Sequence, residues 1–409
     1  MIHTSHIRVD LDAIAGNVRS IQTAVGPSAT VCPVIKADAY GLGAVRVART
    51  MISAGVQRLA VFTLQQAIEL ESTASHARIL VLMPVKEIPN DPAIARLIAS
   101  GRLELVVSEP TQVARLAATR LGRSLSVHLE VDCGMGRGGV SVGDAPSLIR
   151  EIMSRRSMKL VGVFTHFSSS TPEQVELEAA RFDTFLDDVR ELLPARVIRH
   201  AASTGPCFSA PAQRRDMVRI GLGWAGWLPT ESESGSAPAA LRPAVTWCSR
   251  LAQVRELPAG ATVGYGSNWQ ASEATTVGLV PVGYAHGYPA TRTDSSDPHM
   301  VLVAINDGYR AVPVIGAVSM DQLMIDLGGV EGFDPQRDQE VILLSDQADS
   351  VVGLHALSRR AGLPPHAVLS TLAASIPRVY LADATSCGAG TSPIRISEAT
   401  SGTSSMAAG

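Results

Sequence analysis

The sequence predicts an α/β protein in which an N-terminal (β/α)8 barrel of the TIM type precedes a mostly antiparallel β domain. Three observations predict this fold. Eight short β-branched runs occur in the first part of the chain, amphipathic stretches of helical period separate them, and this alternation stops after residues 231–243. The 409 residues, 46% of them hydrophobic, are enough for the cores of two domains.

The helical pattern between the runs is clearest after the sixth, in TPEQVELEAARFDTFLDDVREL. Thr171 is a candidate N-cap before an acidic first turn, and Val175, Ala179, Phe182 and Phe185 recur at helical spacing. Repeated βα units of this kind are typical of a closed parallel barrel. The eight predicted strands are VCPVIK (31–36), RLAVF (58–62), RILVLM (78–83), LELVVS (103–108), SVHLEVD (126–132), KLVGVFTH (159–166), VIRHAAS (197–203) and MVRIGLG (217–223).

The remaining chain predicts a second domain. ESESGSAPAALRP (231–243) has the composition of a linker, and helices are expected near residues 352–375. The small, polar end of the chain predicts a disordered tail. We therefore expect a barrel over residues 1–240, a β domain over 241–385 and the tail over 386–409. The β-branched runs that predict the second domain are ATTVGLVPVGYA, MVLVAIN, AVPVIGAVSM, QLMIDL and EVILLS.

Composition excludes several classes of partner. The net charge of -3 gives no electrostatic case for binding nucleic acid or an anionic membrane. The first residues have no basic and apolar leader pattern, and no stretch is long and apolar enough to span a membrane, which predicts a cytoplasmic protein. No C-x-x-C pair occurs, which argues against a disulfide framework and a metal site. The five cysteines are Cys32, Cys133, Cys207, Cys248 and Cys387.

Lys36 is the most informative candidate for catalysis. Only Lys36, Lys86 and Lys159 are lysines among the 35 basic residues, so arginine serves elsewhere as the positive charge. Lysine, unlike arginine, deprotonates near neutral pH and forms a Schiff base with an aldehyde. A single strand-end lysine is more often a surface residue, but several polar strand ends at one barrel mouth favour a catalytic site. The polar strand ends are Lys36, Asp132, His166, Ser203 with Thr204, and Arg219.

These segments resemble the alanine racemases, pyridoxal 5′-phosphate enzymes that join a barrel to a C-terminal β domain. The resemblance covers roughly residues 5–382 and follows the family's order. The motifs that carry it are VIKADAYGLGA, VHLEVDCGMGRGGV, THFSSS, DMVRIGLG, VGYGSNW, and GYAHGYP with VSMDQLMIDL.

The resemblance implies that Lys36 holds the cofactor as a Schiff base and serves as one of two bases. The other base is Tyr265, contributed by the second subunit of a homodimer with shared active sites. Two bases on opposite faces let one remove the α proton of an amino acid and the other return it. A phenol has a reference pKa of about 10, so it needs help to lose its proton. In the family that help comes from a hydrogen-bonded chain that would run here from Tyr265 through His166 to Arg219.

The resemblance also implies the remaining binding residues. Arg219 faces the pyridine nitrogen, which a guanidinium does not readily protonate, so the carbanion is short-lived and is reprotonated quickly. The phosphate lies against Tyr40, Thr204 and the backbone of Gly221. The cofactor-binding set is Lys36, Tyr40, His166, Ser203, Thr204, Arg219 and Gly221; the amino acid substrate meets Arg137, Met320 and Tyr284; Glu130 and His200 support the site.

Several positions depart from the family pattern. Glu130 replaces a lysine that is carbamylated in many members, and its carboxylate could supply a similar charge that orients Arg137. The alternatives left open are a racemase of another small amino acid, a fold-related decarboxylase or aldolase, and a non-catalytic cofactor-binding protein. The presence of both Lys36 and Tyr265 disfavours the last two. The other departures are Ser203, His286, Ala290, Ser319 and Ala374.

Overall fold

The computed structural model describes residues 4–119, 121–229, 241–290, 297–306, 308–334 and 339–382. Most of the predicted linker and the whole predicted tail lie outside these ranges. The chain divides into two compact units, one formed by Asp10–Ala244 and the other by the residues before Asp10 together with those from Val245 onward. Among the described helices, none has the length and apolar character needed to cross a membrane. The cytoplasmic location therefore stays a prediction.

The first unit is the predicted barrel. All neighbouring strands of its eight-stranded sheet are parallel, and a bridge between Val34 and Ala60 links the first strand of the series to the second. The predicted fold class is confirmed. After β1 (His6–Asp10), the barrel strands in chain order are β2 (Thr30–Pro33), β3 (Arg58–Val61), β4 (Arg78–Val81), β5 (Leu103–Val107), β6 (Leu125–Asp132), β8 (Met158–Phe164), β9 (Ile198–His200) and β10 (Met217–Ile220), with the short β7 (Val140–Ser141) beside β6.

Three barrel strands end several residues earlier than the β-branched runs predict. β2 stops at Pro33 because Lys36 begins a helical turn, and β9 stops at His200 because Ser203 is the N-cap of the next helix. β10 stops at Ile220, where Gly221 leads into a short 3-10 turn. Each early end brings a polar or glycine-rich segment to the carboxyl end of a strand.

The helices separate the strands as expected. The predicted helix after residue 170 is confirmed, and its four predicted apolar residues are buried. Thr171 occupies the N-cap position but makes no capping bond, because its hydroxyl and its N–H both contact Oγ of Ser169. The helices of this unit are α1 (Leu11–Val25), α2 (Lys36–Gly41), α3 (Ala44–Ser53), α4 (Leu64–Leu70), α5 (Pro92–Ala99), α6 (Pro110–Ala118), α7 (Ala145–Ser154), α8 (Pro172–Asp188) and α9 (Thr204–Ser209).

The barrel interior contains charged residues as well as an apolar layer. Cys32, Ala60, Leu80, Val106 and Phe164 belong to one buried apolar cluster. Beside it, charged and imidazole side chains are buried on neighbouring strands, which differs from the aliphatic layers usual in this fold. These polar interior residues are Arg58, Glu104, His128, His200 and Arg219.

The second unit is a mostly antiparallel β domain with two helices, as predicted. Its nine-stranded sheet has the order β12-β15-β18-β17-β16-β19-β11-β1-β20, so the first strand of the chain belongs to this unit. Ile7 and Val9 alternate into its core. The elements are β11 (Val245–Arg250), β12 (Gln253–Leu257), β13 (Thr262–Val263), β14 (Trp269–Gln270), β15 (Thr275–Val280), β16 (Met300–Ile305), β17 (Gly308–Ile315), β18 (Leu323–Asp326), β19 (Glu340–Leu344), α10 (Leu354–Ala361), α11 (Pro365–Ser370) and β20 (Arg378–Leu381).

Gly162 of β8 makes room for a buried ring. A Cβ at this position would lie 1.9 Å from Nδ1 of His128, which is itself hydrogen-bonded at both nitrogens. We expect Gly162→Ala to lower the free energy of unfolding by about 1–3 kcal/mol, as overpacked cores do.

The matched control is Gly16→Ala in α1, where nothing lies within 4 Å of the added Cβ. There we expect a gain of about 0.4–1 kcal/mol, because alanine restricts the unfolded chain. Urea denaturation of both variants measures the difference. Equal stability of the two would contradict this account of the barrel interior.

Candidate active site

Lys36 begins an unusual turn at the carboxyl end of β2. The next four residues, Ala37 to Tyr40, all have left-handed backbone angles, with φ between 51° and 56°. Left-handed geometry costs a residue with a side chain roughly 1–2 kcal/mol, so the surroundings must hold the turn in place. Asp38 does so at one end, because its carboxylate accepts a hydrogen bond from the N–H of Ala44 at 2.7 Å.

Aromatic packing holds the other end of the turn. The ring of Tyr40 is buried and stacks on Trp224, with 5.7 Å between the ring centroids. Nε1 of Trp224 in turn donates to the carbonyl oxygen of Val34 at 2.9 Å. The turn that carries Lys36 is thus fixed to β2 and to the segment after β10.

Three polar groups converge beside this turn and form a candidate anion site. The N–H of Gly221 donates to Oγ1 of Thr204 at 2.9 Å, and a Cβ on Gly221 would lie 2.7 Å from Oη of Tyr40. Burial raises the pKa of Tyr40 to about 12, so its hydroxyl remains a hydrogen-bond donor at neutral pH. Ser203 precedes Thr204 and makes no capping bond to α9 with its side chain. Hydroxyl donors beside a glycine suit a phosphate group.

Arg219 is buried at the end of β10 and is hydrogen-bonded on both η nitrogens. Nη1 lies 2.6 Å from Nδ1 of His200, and Nη2 lies 3.1 Å from Nδ1 of His166. Nη2 also donates to the carbonyl oxygens of Thr165 and Ala201, each at 3.0 Å. The acceptors lie on the segment after β8 and on and just after β9, so two neighbouring strands orient one guanidinium.

The Nε–H of Arg219 makes no hydrogen bond among the described residues. Burial lowers the pKa of Arg219 to about 10, and the charge of Arg137 adds to this effect, but the side chain remains charged at neutral pH. It can therefore donate to an acceptor without giving up its proton. An unprotonated aromatic nitrogen, such as that of a pyridine ring, is an acceptor of this kind.

His166 is neutral in this environment. Burial, then the positive charges of Arg219, Arg137 and Lys36, lower its pKa to about 3. Because Arg219 is a donor only, Nδ1 of His166 must be the acceptor, and its proton must lie on Nε2. His166 therefore offers an Nε2–H donor to whatever lies beyond it.

The loop after β6 brings further charges close to Lys36. Its backbone is held by Asp132, whose carboxylate accepts from the N–H groups of Gly134 and Gly136 at 3.0–3.1 Å. Desolvation and the charge of Arg137 lower the pKa of Lys36. Desolvation and the nearby like charge therefore favour the free amine of Lys36, which is the reactive form.

Glu130 lies beneath the same loop, next to Gly138 and Gly139, and is half-buried. Burial raises its pKa, while the charges of Arg219 and Arg137 act in the opposite direction. Among the described residues, no hydrogen bond or ion pair joins Glu130 to Arg137. The orienting contact predicted from the sequence is thus present only as an electrostatic interaction.

Three of the predicted site residues belong to the second unit and are exposed there. Tyr265 begins a 3-10 turn and is 76% exposed, and Tyr284 and Met320 are also exposed. Segment 317–320 supports both turns, since a Cβ on Gly264 would lie 2.8 Å from the N of Ala317. Tyr284 N–H also donates to the carbonyl oxygen of Ser319 at 3.1 Å.

The departures from the motif pattern have ordinary contacts. Nδ1 of His286 accepts from the N–H of Gly283 at 3.2 Å, and its carbonyl oxygen accepts from Ala373. For Ala290 and Ala374, nothing in the structure assigns a role.

Among the residues that the structure covers, no group of three or more His, Cys, Asp or Glu side chains could hold a metal ion. The four cysteines that the structure describes are buried and unbridged.

Comparisons with known proteins point to one family. Residues 9–229 match the family model of the alanine racemase N-terminal domain, and residues 244–380 match that of the C-terminal domain. An alanine racemase of Desulfosudis oleivorans is 31% identical over 91% of this chain and 95% of its own.

Solved structures show the same likeness. The alanine racemase of a D-cycloserine producing Streptomyces lavendulae is 26% identical, with a TM-score of 0.81 over 94% of this chain and 98% of its own. At 23% identity, the alanine racemase of Bartonella henselae with covalently bound pyridoxal phosphate shows the fold alone. Its TM-score is 0.77 over 93% of this chain and all of its own.

The geometry predicts that Arg137 controls the reactivity of Lys36. Arg137→Gln removes a like charge, so it should raise the pKa of Lys36 and shift the labelling of its amine by an acylating reagent to higher pH. Mass spectrometry of Lys36 peptides across a pH series measures the midpoint. Arg155→Gln removes an arginine from the surface ion pair with Glu151 and serves as the control. A midpoint that is the same in both variants would contradict the proposed coupling.

Proposed function

The chain belongs to the alanine racemase family, and from that premise we propose that it is a pyridoxal 5′-phosphate-dependent isomerase that interconverts L- and D-alanine. The observation that carries the proposal is the arrangement at the barrel mouth. Lys36 has a lowered pKa, and Arg219 holds His166 as a neutral hydrogen-bond donor. A racemase needs an amine that can act as a base and a donor that can support the second base.

The residues at the barrel mouth fit the cofactor. Pyridoxal phosphate, when bound, withdraws electrons from the amino acid and makes its α C–H bond acidic. Lys36 would hold its aldehyde carbon, Arg219 would donate Nε–H to its ring nitrogen, and His166 would pack against the ring. Tyr40, Thr204 and Gly221, with Ser203 adjacent, would bind its phosphate. The donor set matches the acceptors of such a group, and a side chain at position 221 would crowd Tyr40.

Racemisation requires a proton donor and a proton acceptor on opposite faces of the substrate. Nζ of Lys36 would take or return the α proton on one face. Oη of Tyr265 of the partner subunit would do so on the other. The group that removes the α proton ends the turnover protonated, and the group that returns a proton ends it deprotonated. The two bases have then exchanged their protonation states and are ready for the reverse reaction.

The Arg219–His166 pair would prepare the tyrosine for its role. Since Nδ1 of His166 accepts from Arg219, its Nε2–H is free to stabilise a phenolate. Arg219 keeps its own proton, so it limits how far electrons are withdrawn from the substrate. That limit favours rapid return of the α proton over other reactions.

A homodimer with shared active sites follows from this role for Tyr265. Three predicted site residues of the second unit are exposed: Tyr265, Tyr284 and Met320. Exposure of this kind is expected of residues that complete a site in another copy of the chain. We propose that Met320 and Tyr284 of the partner subunit line the substrate site, and that Arg137 binds the carboxylate of the amino acid. Glu130 would balance the charge of Arg137.

The first test of the function uses Tyr265→Phe. We expect racemisation of alanine to fall roughly 10²–10⁴-fold, the usual contribution of a positioned general base. Cofactor binding should remain, because the tyrosine belongs to the other face. Lys36 should still exchange the α proton of one enantiomer slowly in deuterated water. Chiral chromatography and the visible absorbance of the cofactor measure these properties, and borohydride should fix the cofactor on Lys36.

Tyr288→Phe is the control, because it removes a buried hydroxyl that has no hydrogen-bond partner in the described residues. Near-normal racemisation by Tyr265→Phe, or cofactor fixed on Lys86 or Lys159, would refute the assignment. Assays with other small amino acids decide whether the departures at His286 and Ser319 have changed the substrate.

Mixing two inactive variants tests the shared site. Lys36→Ala and Tyr265→Ala chains each lack one base, but a mixed dimer would hold one complete site. We expect activity to return on subunit exchange to about a quarter of the wild-type value, because about half of the dimers are mixed and each has one site of two. No recovery in dimers shown by mass spectrometry to be mixed would count against a borrowed tyrosine.

A further inference from the structure

A chain of hydrogen bonds runs through the barrel interior to Arg219. Nε of Arg58 donates to Oε2 of Glu104 at 2.7 Å, and the same oxygen lies 3.2 Å from Nε2 of His128. Nδ1 of His128 lies 2.9 Å from Nε2 of His200, and Nδ1 of His200 lies 2.6 Å from Nη1 of Arg219. All five side chains are buried. The sequence patterns singled out only the last two.

The arginine end of this chain dictates where the protons lie. A guanidinium only donates, so Nδ1 of His200 must accept from Arg219. Burial, then the charge of Arg219 and, less strongly, that of Arg58, lower the pKa of His200 far below its ordinary value, so the ring is neutral. Its one proton is therefore on Nε2, and His128 must accept that proton at Nδ1.

The carboxylate end dictates the same arrangement independently. Burial opposes the charge of Glu104, but hydrogen bonds from His128 and Arg58 outweigh it and lower the pKa of Glu104 to about 2. The carboxylate is an acceptor only, so Nε2 of His128 must carry a proton. Both ends thus require the Nε2–H form of each imidazole, and every donor in the chain has one acceptor.

The surrounding barrel is built to hold the two rings. Gly162 leaves space for His128, and the pairing of β6 with β8 shifts register between Val127 and His128. Phe164 stacks on His200 with 4.6 Å between the ring centroids. The guanidinium carbon of Arg219 lies 5.0 Å from the centroid of the Phe164 ring. Neither imidazole can turn without breaking these contacts.

We propose that Glu104 and His128 are positioning residues, which fix the tautomer of His200 and so direct its lone pair at Arg219. This inference rests on the proposed function. The arrangement resembles the carboxylate partners that orient metal-bound histidines. It anchors the arginine to a carboxylate through two neutral rings. The guanidinium is thereby oriented, and among the described residues no carboxylate forms a direct ion pair with it. The Nε–H then remains directed away from the chain and available to the cofactor.

The test variant is His128→Phe, which keeps a ring of similar size and removes both hydrogen bonds. Glu104 keeps its bidentate partner Arg58, so the buried ion pair survives. The control is Arg78→Gln, because Nη1 of Arg78 lies 3.4 Å from Oε1 of Glu104, the carboxylate oxygen that His128 does not contact. His128→Gln, which retains one donor and one acceptor, tests rescue.

The first measurement uses cofactor-free protein labelled with nitrogen-15 histidine. In the wild type, we expect the ring signals of His128 and His200 to show protonated, hydrogen-bonded Nε2 and unprotonated Nδ1. In His128→Phe the Nε2–H signal of His200 should move upfield, because its acceptor is gone. Nδ1–H tautomers in the wild type, or an unmoved His200 signal in the variant, would overturn the inference.

The second measurement uses the loaded enzyme. We expect His128→Phe to weaken pyridoxal phosphate binding about two- to tenfold, the factor that corresponds to one net hydrogen bond. The acid limb of the pH profile of kcat/KM should move to higher pH. A less firmly held Arg219 would position His166 less well, and the Nε2–H of His166 would then stabilise the phenolate of Tyr265 less. Simple destabilisation would leave that limb in place. His128→Gln should recover part of the lost affinity, and Arg78→Gln should match the wild type.

The outcomes separate this inference from the proposed function. If the wild type racemises no amino acid, the proposed function fails, while the imidazole signals still test the tautomers. If the wild type racemises alanine and His128→Phe keeps its cofactor affinity and pH profile, the positioning role fails alone. If His128→Phe does not fold, the wild-type tautomers and the affinity of His128→Gln decide the question.

Discussion

Burying a guanidinium costs several kcal/mol unless its N–H groups find acceptors, and Arg219 imposes this requirement on the barrel. The acceptors are the carbonyl oxygens of Thr165 and Ala201 and the Nδ1 atoms of His166 and His200. Because these rings must accept, both are neutral and each carries its proton on Nε2. The protonation of the site thus follows from one buried charge. At the barrel mouth, the result is the Nε2–H donor of His166. In the interior, the hydrogen bonds continue from His200 to His128.

The turn that carries Lys36 depends on the same neighbourhood. Its left-handed residues are costly, and contacts of Tyr40 with Trp224 and of Asp38 with Ala44 offset that cost. Trp224 follows β10 closely, so the strand that presents Arg219 also supports the lysine turn. Strain held by packing of this kind is typical of functional sites. A substitution in the segment after β10 would therefore affect the positions of both the Lys36 amine and the Arg219 guanidinium.

The sequence predicted the strands and the mouth residues because both follow from local patterns. β-branched runs predict β2 to β6 and β8 to β10, and polar residues at or near the ends of these strands include Lys36, His166 and Arg219. The interior chain has no such local sign. Glu104 in LELVV resembles the polar residue of a half-exposed strand, and its partner Arg58 lies 46 positions away. The left-handed turn was also invisible, since no glycine stands at residues 37–40.

Two departures from the family pattern, Glu130 and Ser319, lie beside residues that we propose to hold the substrate. Lys36, Tyr265, His166 and Arg219 match the motifs, and these are the groups assigned to proton transfer. By contrast, position 319 adjoins Tyr284, one of the residues proposed to face the substrate, because its backbone carbonyl oxygen accepts from the N–H of Tyr284. Glu130 acts on Arg137, the proposed carboxylate ligand, through its charge. We therefore expect these two substitutions to alter how an amino acid is held, and we expect the exchange of its α proton to rest on the two proposed bases, Lys36 and Tyr265.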